Sequence, residues 1–190
     1  MATRESLAEA EALLLEAVAF AAEKHRHQRR KDARASPYIN HPIELAILLQ
    51  REGVTDPVTL CAALLHDTIE DTETTPQELE SAFGSAVAGV VLEVTDDQHL
   101  SKERRKELQI EHAHQLSARA RAVKLADKIC NLRDIVKSPP AGWSLARRQE
   151  YFEWAKAVID NLRGHHPALE SLFDHVHAEG VRALATTGTT

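Results

Sequence analysis

Residues 60–71 read Leu60-Cys61-Ala62-Ala63-Leu64-Leu65-His66-Asp67-Thr68-Ile69-Glu70-Asp71. An apolar run leads straight into ionisable side chains. Asp56-Pro57 stands just upstream, with Asp56 suited to an N-cap. The spacing predicts a helix from Asp56 to about Glu70. Positions 66, 67, 70 and 71 then fall on one broad face, at i, i+1, i+4 and i+5. Carboxylates packed so closely repel one another unless a cation or water offsets their charge. Taken alone, the segment is balanced between a cation site and the solvated end of an amphipathic helix.

Outward from this stretch, apolar residues recur at helical spacing almost everywhere. Leu7, Leu14, Val18 and Ala21 mark a first helix to about His27. A basic, turn-rich stretch runs from Arg29 to Asn40. His41-Pro42 opens a helix to about Glu52, and Gly53 closes it. Thr75-Pro76-Gln77-Glu78 is a capping box opening a helix to Phe83, where Gly84 breaks it. Val87, Val90, Val91 and Val94 continue as helix. Ser101 to about Leu116 is charged and belongs on the surface. A central helix spans roughly Ser117 to Val136, with Val123, Leu125, Ala126, Ile129, Leu132 and Val136 as its apolar face. Ser144 caps a helix to about Leu162, and Pro167 opens the last. No strand pattern, repeat or linker interrupts this order. The expected fold is an all-α, single-domain helical bundle over residues 1–180, with a disordered tail over 181–190.

The chain's 190 residues suit one domain. Aromatics are only 4%, so the core must be Leu, Ala, Val and Ile. A net charge of −6 argues against a nucleic-acid partner. The two cysteines, Cys61 and Cys130, sit in apolar helical patterns, which fits a reducing cytoplasm. No apolar stretch is long enough for a membrane span, and the N-terminus lacks the order of a signal peptide. Eleven histidines invite a search for metal sites, although His165, His166, His175 and His177 read as surface residues.

Two further segments could complete a metal site. Lys124, Asp127, Asn131 and Asp134 recur every three or four residues, so a polar stripe interrupts the central helix. Asp127, among Leu125, Ala126 and Ile129, needs a partner: a cation, or an ion pair with Lys124 or Lys128. His41 stands at a helix start, where positive helix-end charge favours the neutral imidazole that a metal requires. Two imidazoles and two carboxylates suit Mn, Fe, Zn or Ni better than Ca or Mg. Such an ion would acidify a water and neutralise phosphate charge, with Glu70 and Asp71 placed to orient that water or take its proton.

The ordered set His41, His66-Asp67, Asp127 resembles the signature of the HD phosphohydrolase superfamily. Around it, Arg30-Lys31-Asp32, Tyr38-Ile39-Asn40-His41-Pro42, Val94-Thr95-Asp96-Asp97 and Val123-Lys124-Leu125-Ala126-Asp127-Lys128 resemble the hydrolase domain of RelA/SpoT proteins. Asn131-Leu132-Arg133-Asp134 does so too. Gly142-Trp143-Ser144 and Glu150-Tyr151-Phe152-Glu153-Trp154-Ala155 extend the likeness to the stand-alone small alarmone hydrolases, over roughly residues 15–175.

The resemblance implies an HD-type fold and manganese-dependent removal of the 3′-pyrophosphate of (p)ppGpp, leaving GDP or GTP and pyrophosphate. It implies one Mn2+ held by His41, His66, Asp67 and Asp127, with Glu70 and Asp71 as catalytic carboxylates. Arg30, Lys31, Asn131, Arg147 and Tyr151 would contact the nucleotide. Cys130 departs from the Tyr or His that relatives carry. No synthetase region follows, so the chain is expected to hydrolyse alarmone and not to make it. A homodimer is allowed. The alternatives are removal of the 2′-phosphate of NADPH or of another nucleotide phosphate, a non-catalytic alarmone-binding protein, and a helical scaffold.

Overall fold

The computed structural model describes residues 4–187. Helix α1 spans Arg4–Lys24, followed by α2 (Asn40–Arg51), α3 (Pro57–Leu65), α4 (Thr68–Asp71) and α5 (Pro76–Val94). Then come α6 (Lys102–Glu111), a 3-10 turn at Ala113–Gln115, α7 (Ala118–Lys137), α8 (Leu145–Asp160) and α9 (Pro167–Thr187). Among the described residues no strand forms; two isolated backbone bridges, Arg29 with Pro37 and Asp32 with Pro140, tie down the loop after α1.

Local chemistry sets most helix starts. Asp56, Thr75, Ser101, Ser117 and Ser144 each accept a backbone N–H three residues on, so α3, α5, α6, α7 and α8 open with a satisfied donor. Proline occupies the first turn of α3 and α5. Gly84, at φ 81° and ψ 161°, bends α5, since only glycine takes that backbone freely. The break expected at Gly84 is therefore a kink within one element.

α3 and α7 form the centre. α3 is buried from Thr59 through Leu65 and packs on α1, α2, α5 and α7. α7 packs on α9, α2, α3, α5 and α8. Alanines at 62, 63, 122 and 126 are fully buried and let these helices approach closely. The C-terminal end of α3 and the middle of α7 thus lie in the interior, where any polar side chain must find a partner.

The structure departs from the sequence expectations at several points. The helix begun at Asp56 does not run to Glu70. It ends at Leu65, Asp67 takes φ −99° and ψ 0°, and α4 starts at Thr68. Side chains satisfy the carbonyls that the break frees: the Thr68 hydroxyl donates to Leu65 O at 2.7 Å, and His66 Nδ1 donates to Ala63 O at 2.9 Å. On α7, Ile135 takes the buried position assigned to Val136, which is 39% exposed. His177 is half-buried between the Phe152 and Phe173 rings and not a plain surface residue. Residues 181–187, expected in the disordered tail, continue α9, and Leu184 is buried in the core. Residues 188–190 of that tail lie outside the described residues.

Candidate functional site

The turn between α3 and α4 carries His66 and Asp67. α2 brings His41 in its first turn, and α7 brings Asp127 from its middle. His66 Nδ1 is committed to Ala63 O, so Nε2 is the nitrogen that faces the cavity. That Nε2 lies 2.8 Å from Asp67 Oδ2 and 4.0 Å from Asp127 Oδ1. His41 Nε2 lies 3.2 Å from the same Asp127 oxygen. His41, His66 and Asp127 each offer one ligand atom, all within 4.8 Å of one another. Asp67 adjoins this group, and its Oδ2 accepts the Tyr38 hydroxyl.

Both imidazoles are buried, and His66 Nε2 and His41 Nδ1 make no hydrogen bond. A water-excluded Nε2 facing two carboxylates is a poor resting arrangement without a cation. The donor set, two imidazole nitrogens with carboxylate oxygens, fits a divalent first-row metal. The carboxylates also draw positive charge onto the site. Burial disfavours a charged His66, yet Asp67 and Asp127 raise its imidazole to about 9. Burial would raise Asp67, but His66 holds it well below the usual carboxylate range. Burial likewise opposes the charge on Asp127, and Lys128 and His41 hold it low.

α4 sets the two further carboxylates. Glu70 Oε2 accepts the Asp96 backbone N–H at 3.1 Å, and Arg105 Nη1 lies 3.4 Å from Oε1. Burial, together with the charges of Asp96 and Asp67, keeps the Glu70 carboxyl above its ordinary value. Asp71 Oδ2 accepts Gln28 Nε2 at 2.7 Å. Glu70 and Asp71 share with His41, His66, Asp67 and Asp127 one cavity of about 330 Å³.

Four of the expected nucleotide contacts line that cavity. Arg30 donates to Asn131 Oδ1 at 3.4 Å and to Asp134, with its guanidinium 5.7 Å from the Tyr38 ring. Burial lowers Arg30, but Asp134 outweighs it and holds its charge firmly. Asn131 Nδ2 donates to Asp127 Oδ1 at 2.6 Å. Lys31 is exposed at the mouth. Tyr151, between the Trp143 and Trp154 rings, is pushed up to about 12 by burial. These residues also wall an adjoining cavity of about 460 Å³. Arg147 lines neither of these two cavities but a third, more open one of about 780 Å³ that shares Lys31, Glu70, Asp71 and Tyr151 with them. It rests on Trp143, 4.4 Å from the ring.

Other side chains of the site escaped sequence reasoning. Gln28 holds Asp71, Arg105 faces Glu70, and Gln109 Nε2 donates to Asp96 at 2.7 Å. No spacing rule joins residues 13 to 43 positions apart. Lys128 had a signal, being a lysine beside Asp127 in an apolar helix. Its Nζ lies 3.1 Å from Asp127 Oδ2 and 4.4 Å from the Trp154 ring centre, and it is 3% exposed. The ion pair weighed as an alternative to a cation is thus present, but it engages the oxygen that does not face His41.

The comparisons agree with this geometry. The family model described as HD domain matches residues 17–153. A Xenopus tropicalis protein named guanosine-3′,5′-bis(diphosphate) 3′-pyrophosphohydrolase MESH1 is 55% identical over 166 residues, covering 87% of this chain and 93% of that one. The human protein of the same name matches equally, at 55% with the same coverage. The solved structure of a metazoan orthologue of SpoT, described as hydrolysing ppGpp, superposes with a TM-score of 0.86 at 48% identity, over 88% of this chain and 95% of that one. No helix among the described residues is long and apolar enough to cross a membrane. The chain belongs to the HD-domain family, in its branch of guanosine-3′,5′-bis(diphosphate) 3′-pyrophosphohydrolases.

Proposed function

We propose that this protein removes the 3′-pyrophosphate from ppGpp and pppGpp, leaving GDP or GTP and pyrophosphate. The observation that carries this reading is the meeting of His41, His66 and Asp127 within 4.8 Å in the cavity that also holds Glu70 and Asp71. In this reading His41, His66, Asp67 and Asp127 hold one manganese ion per chain. That ion, when bound, neutralises phosphate charge and makes a water more acidic.

The protein's own groups do the rest. The bond between the ribose 3′-oxygen and its phosphorus breaks, a water oxygen takes its place on phosphorus, and the departing 3′-oxygen ends as a hydroxyl. Glu70, with its raised affinity for a proton, takes the proton from the water. Asp71, anchored by Gln28, orients that water. Arg30, Lys31, Asn131, Tyr151 and Arg147 contact the nucleotide, Arg30 and Lys31 at its base. Both cysteines are free and buried, in line with an enzyme of the reducing cytoplasm.

Purified protein with manganese should convert ppGpp into GDP and pyrophosphate, identified by anion-exchange chromatography. Glu70→Gln should lower kcat by about 10²–10⁴-fold, the span typical of a lost general acid or base. Turnover of NADPH to NADH and orthophosphate with none of ppGpp would replace the substrate. Undiminished activity in Glu70→Gln would remove Glu70 from the role.

A further inference from the structure

We infer that His25 is a positioning residue of the hydrolytic site: it aims Asp71 through Gln28 and backs the Tyr38 ring whose hydroxyl holds Asp67. The inference rests on the reading of Asp71 as a catalytic carboxylate.

His25 is the first residue after α1, and nothing in its local pattern marks it. Yet it is only 2% exposed. Its Nδ1 lies 2.5 Å from Gln28 Oε1. Gln28 Nε2 in turn donates to Asp71 Oδ2 at 2.7 Å. A carboxylate accepts only, so the Gln28 amide must turn its NH2 to Asp71 and its oxygen to His25. That oxygen accepts only, so His25 must carry its proton on Nδ1. One orientation of each group satisfies the chain, and together they give Asp71 a single direction.

The backbone reinforces this. Gln28 N–H donates to His25 O at 2.9 Å, and Tyr38 N–H donates to Gln28 O at 3.2 Å. The turn therefore holds His25, Gln28 and Tyr38 as one unit. The His25 and Tyr38 rings lie 4.9 Å apart, and the Tyr38 hydroxyl donates to Asp67. A single buried imidazole thus touches the supports of Asp67, in the α3–α4 turn, and of Asp71, at the end of α4.

A purely structural histidine is the competing account. With Nδ1 protonated, however, His25 Nε2 is a buried acceptor with no partner. Such a group costs stability that an apolar side chain of similar size would not. Packing alone therefore gives no reason for an imidazole here, whereas the Nδ1–H does.

The test compares kcat, KM for ppGpp and the manganese Kd in Gln28→Leu, His25→Leu, His25→Asn and Asp71→Asn. Gln28→Leu and His25→Leu should each lower kcat between about tenfold and a hundredfold, the scale of a misaimed catalytic group. KM should stay unchanged in both, and the manganese Kd should stay unchanged in Gln28→Leu, which leaves the contacts from His25 through Tyr38 to Asp67 in place. His25→Asn keeps an amide N–H near the place of Nδ1–H and should recover most of the activity. If His25→Leu does not fold, Gln28→Leu at its half-buried position decides. Wild-type kcat in Gln28→Leu beside an inactive Asp71→Asn overturns the positioning role and leaves the site reading intact. Wild-type kcat in Asp71→Asn overturns that reading itself. A manganese Kd that weakens in step with kcat in Gln28→Leu, or no recovery in His25→Asn, also overturns the inference.

Discussion

Asp127 shows how one side chain is shared among four demands. Its Oδ1 faces His41 and His66 and accepts Asn131, while its Oδ2 is held by Lys128. Burial would lower the Lys128 ammonium, but Asp127 outweighs it and keeps the lysine charged. Two buried charges cost more than a hydrophobic pair would, yet breaking such a pair leaves one charge stranded. Lys128→Met should therefore destabilise the metal-free protein by about 3 kcal/mol, the lower end of what breaking a buried pair costs, because His41 and Asn131 remain. Urea unfolding in EDTA measures it. An unchanged midpoint would mean that the imidazoles and Asn131 suffice. At this scale the sequence was most legible. His41, His66, Asp67 and Asp127 stood out because ionisable groups inside apolar patterns need a reason to be there.

At the scale of elements, α8 and α9 meet so closely that one hydrogen matters. A Cβ on Gly180 would lie 2.2 Å from Phe152 Cε1 and 2.5 Å from Cζ, and Phe152 is 1% exposed. Alanine is the better helix former by about 1 kcal/mol, but the overlap outweighs that gain. Gly180→Ala should cost about 2 kcal/mol net and lower Tm by roughly 4 to 8 °C. Adding Phe152→Leu should return part of the loss, which differential scanning calorimetry can follow. A Tm raised by Gly180→Ala would show that α9 shifts freely against α8. Helix starts were readable because capping side chains act within three residues. The end of α3 was not, because Thr68 and His66 compete with the helix for its last carbonyls, and propensity does not register that competition.

Across the whole molecule, the candidate metal ligands come from α2, the α3–α4 turn and α7, so an ion can bind them together only in the folded chain. Manganese at about 100 times its Kd should stabilise the fold by about 2.7 kcal/mol. For a chain of this size that corresponds to a rise in Tm of roughly 5 to 10 °C, lost on adding EDTA. An identical Tm with manganese and with EDTA would remove the cation from this site.

What the sequence determined by itself was the helical class, most helix starts, and the residues whose chemistry demands a cation or a partner. These depend on side-chain type and on spacing within a turn or two, which the chain carries locally. Only the tertiary structure decided that the His66–Asp67 pair sits in a turn and not on a helix face. It alone joined Gln28 to Asp71 and Arg30 to Asp134, across 43 and 104 residues. It also extended α9 through the expected tail, where Leu184 is buried. Such pairings arise because buried polar groups must each be satisfied by whichever neighbour the packing supplies, and that neighbour is set by how helices stack, not by their order along the chain.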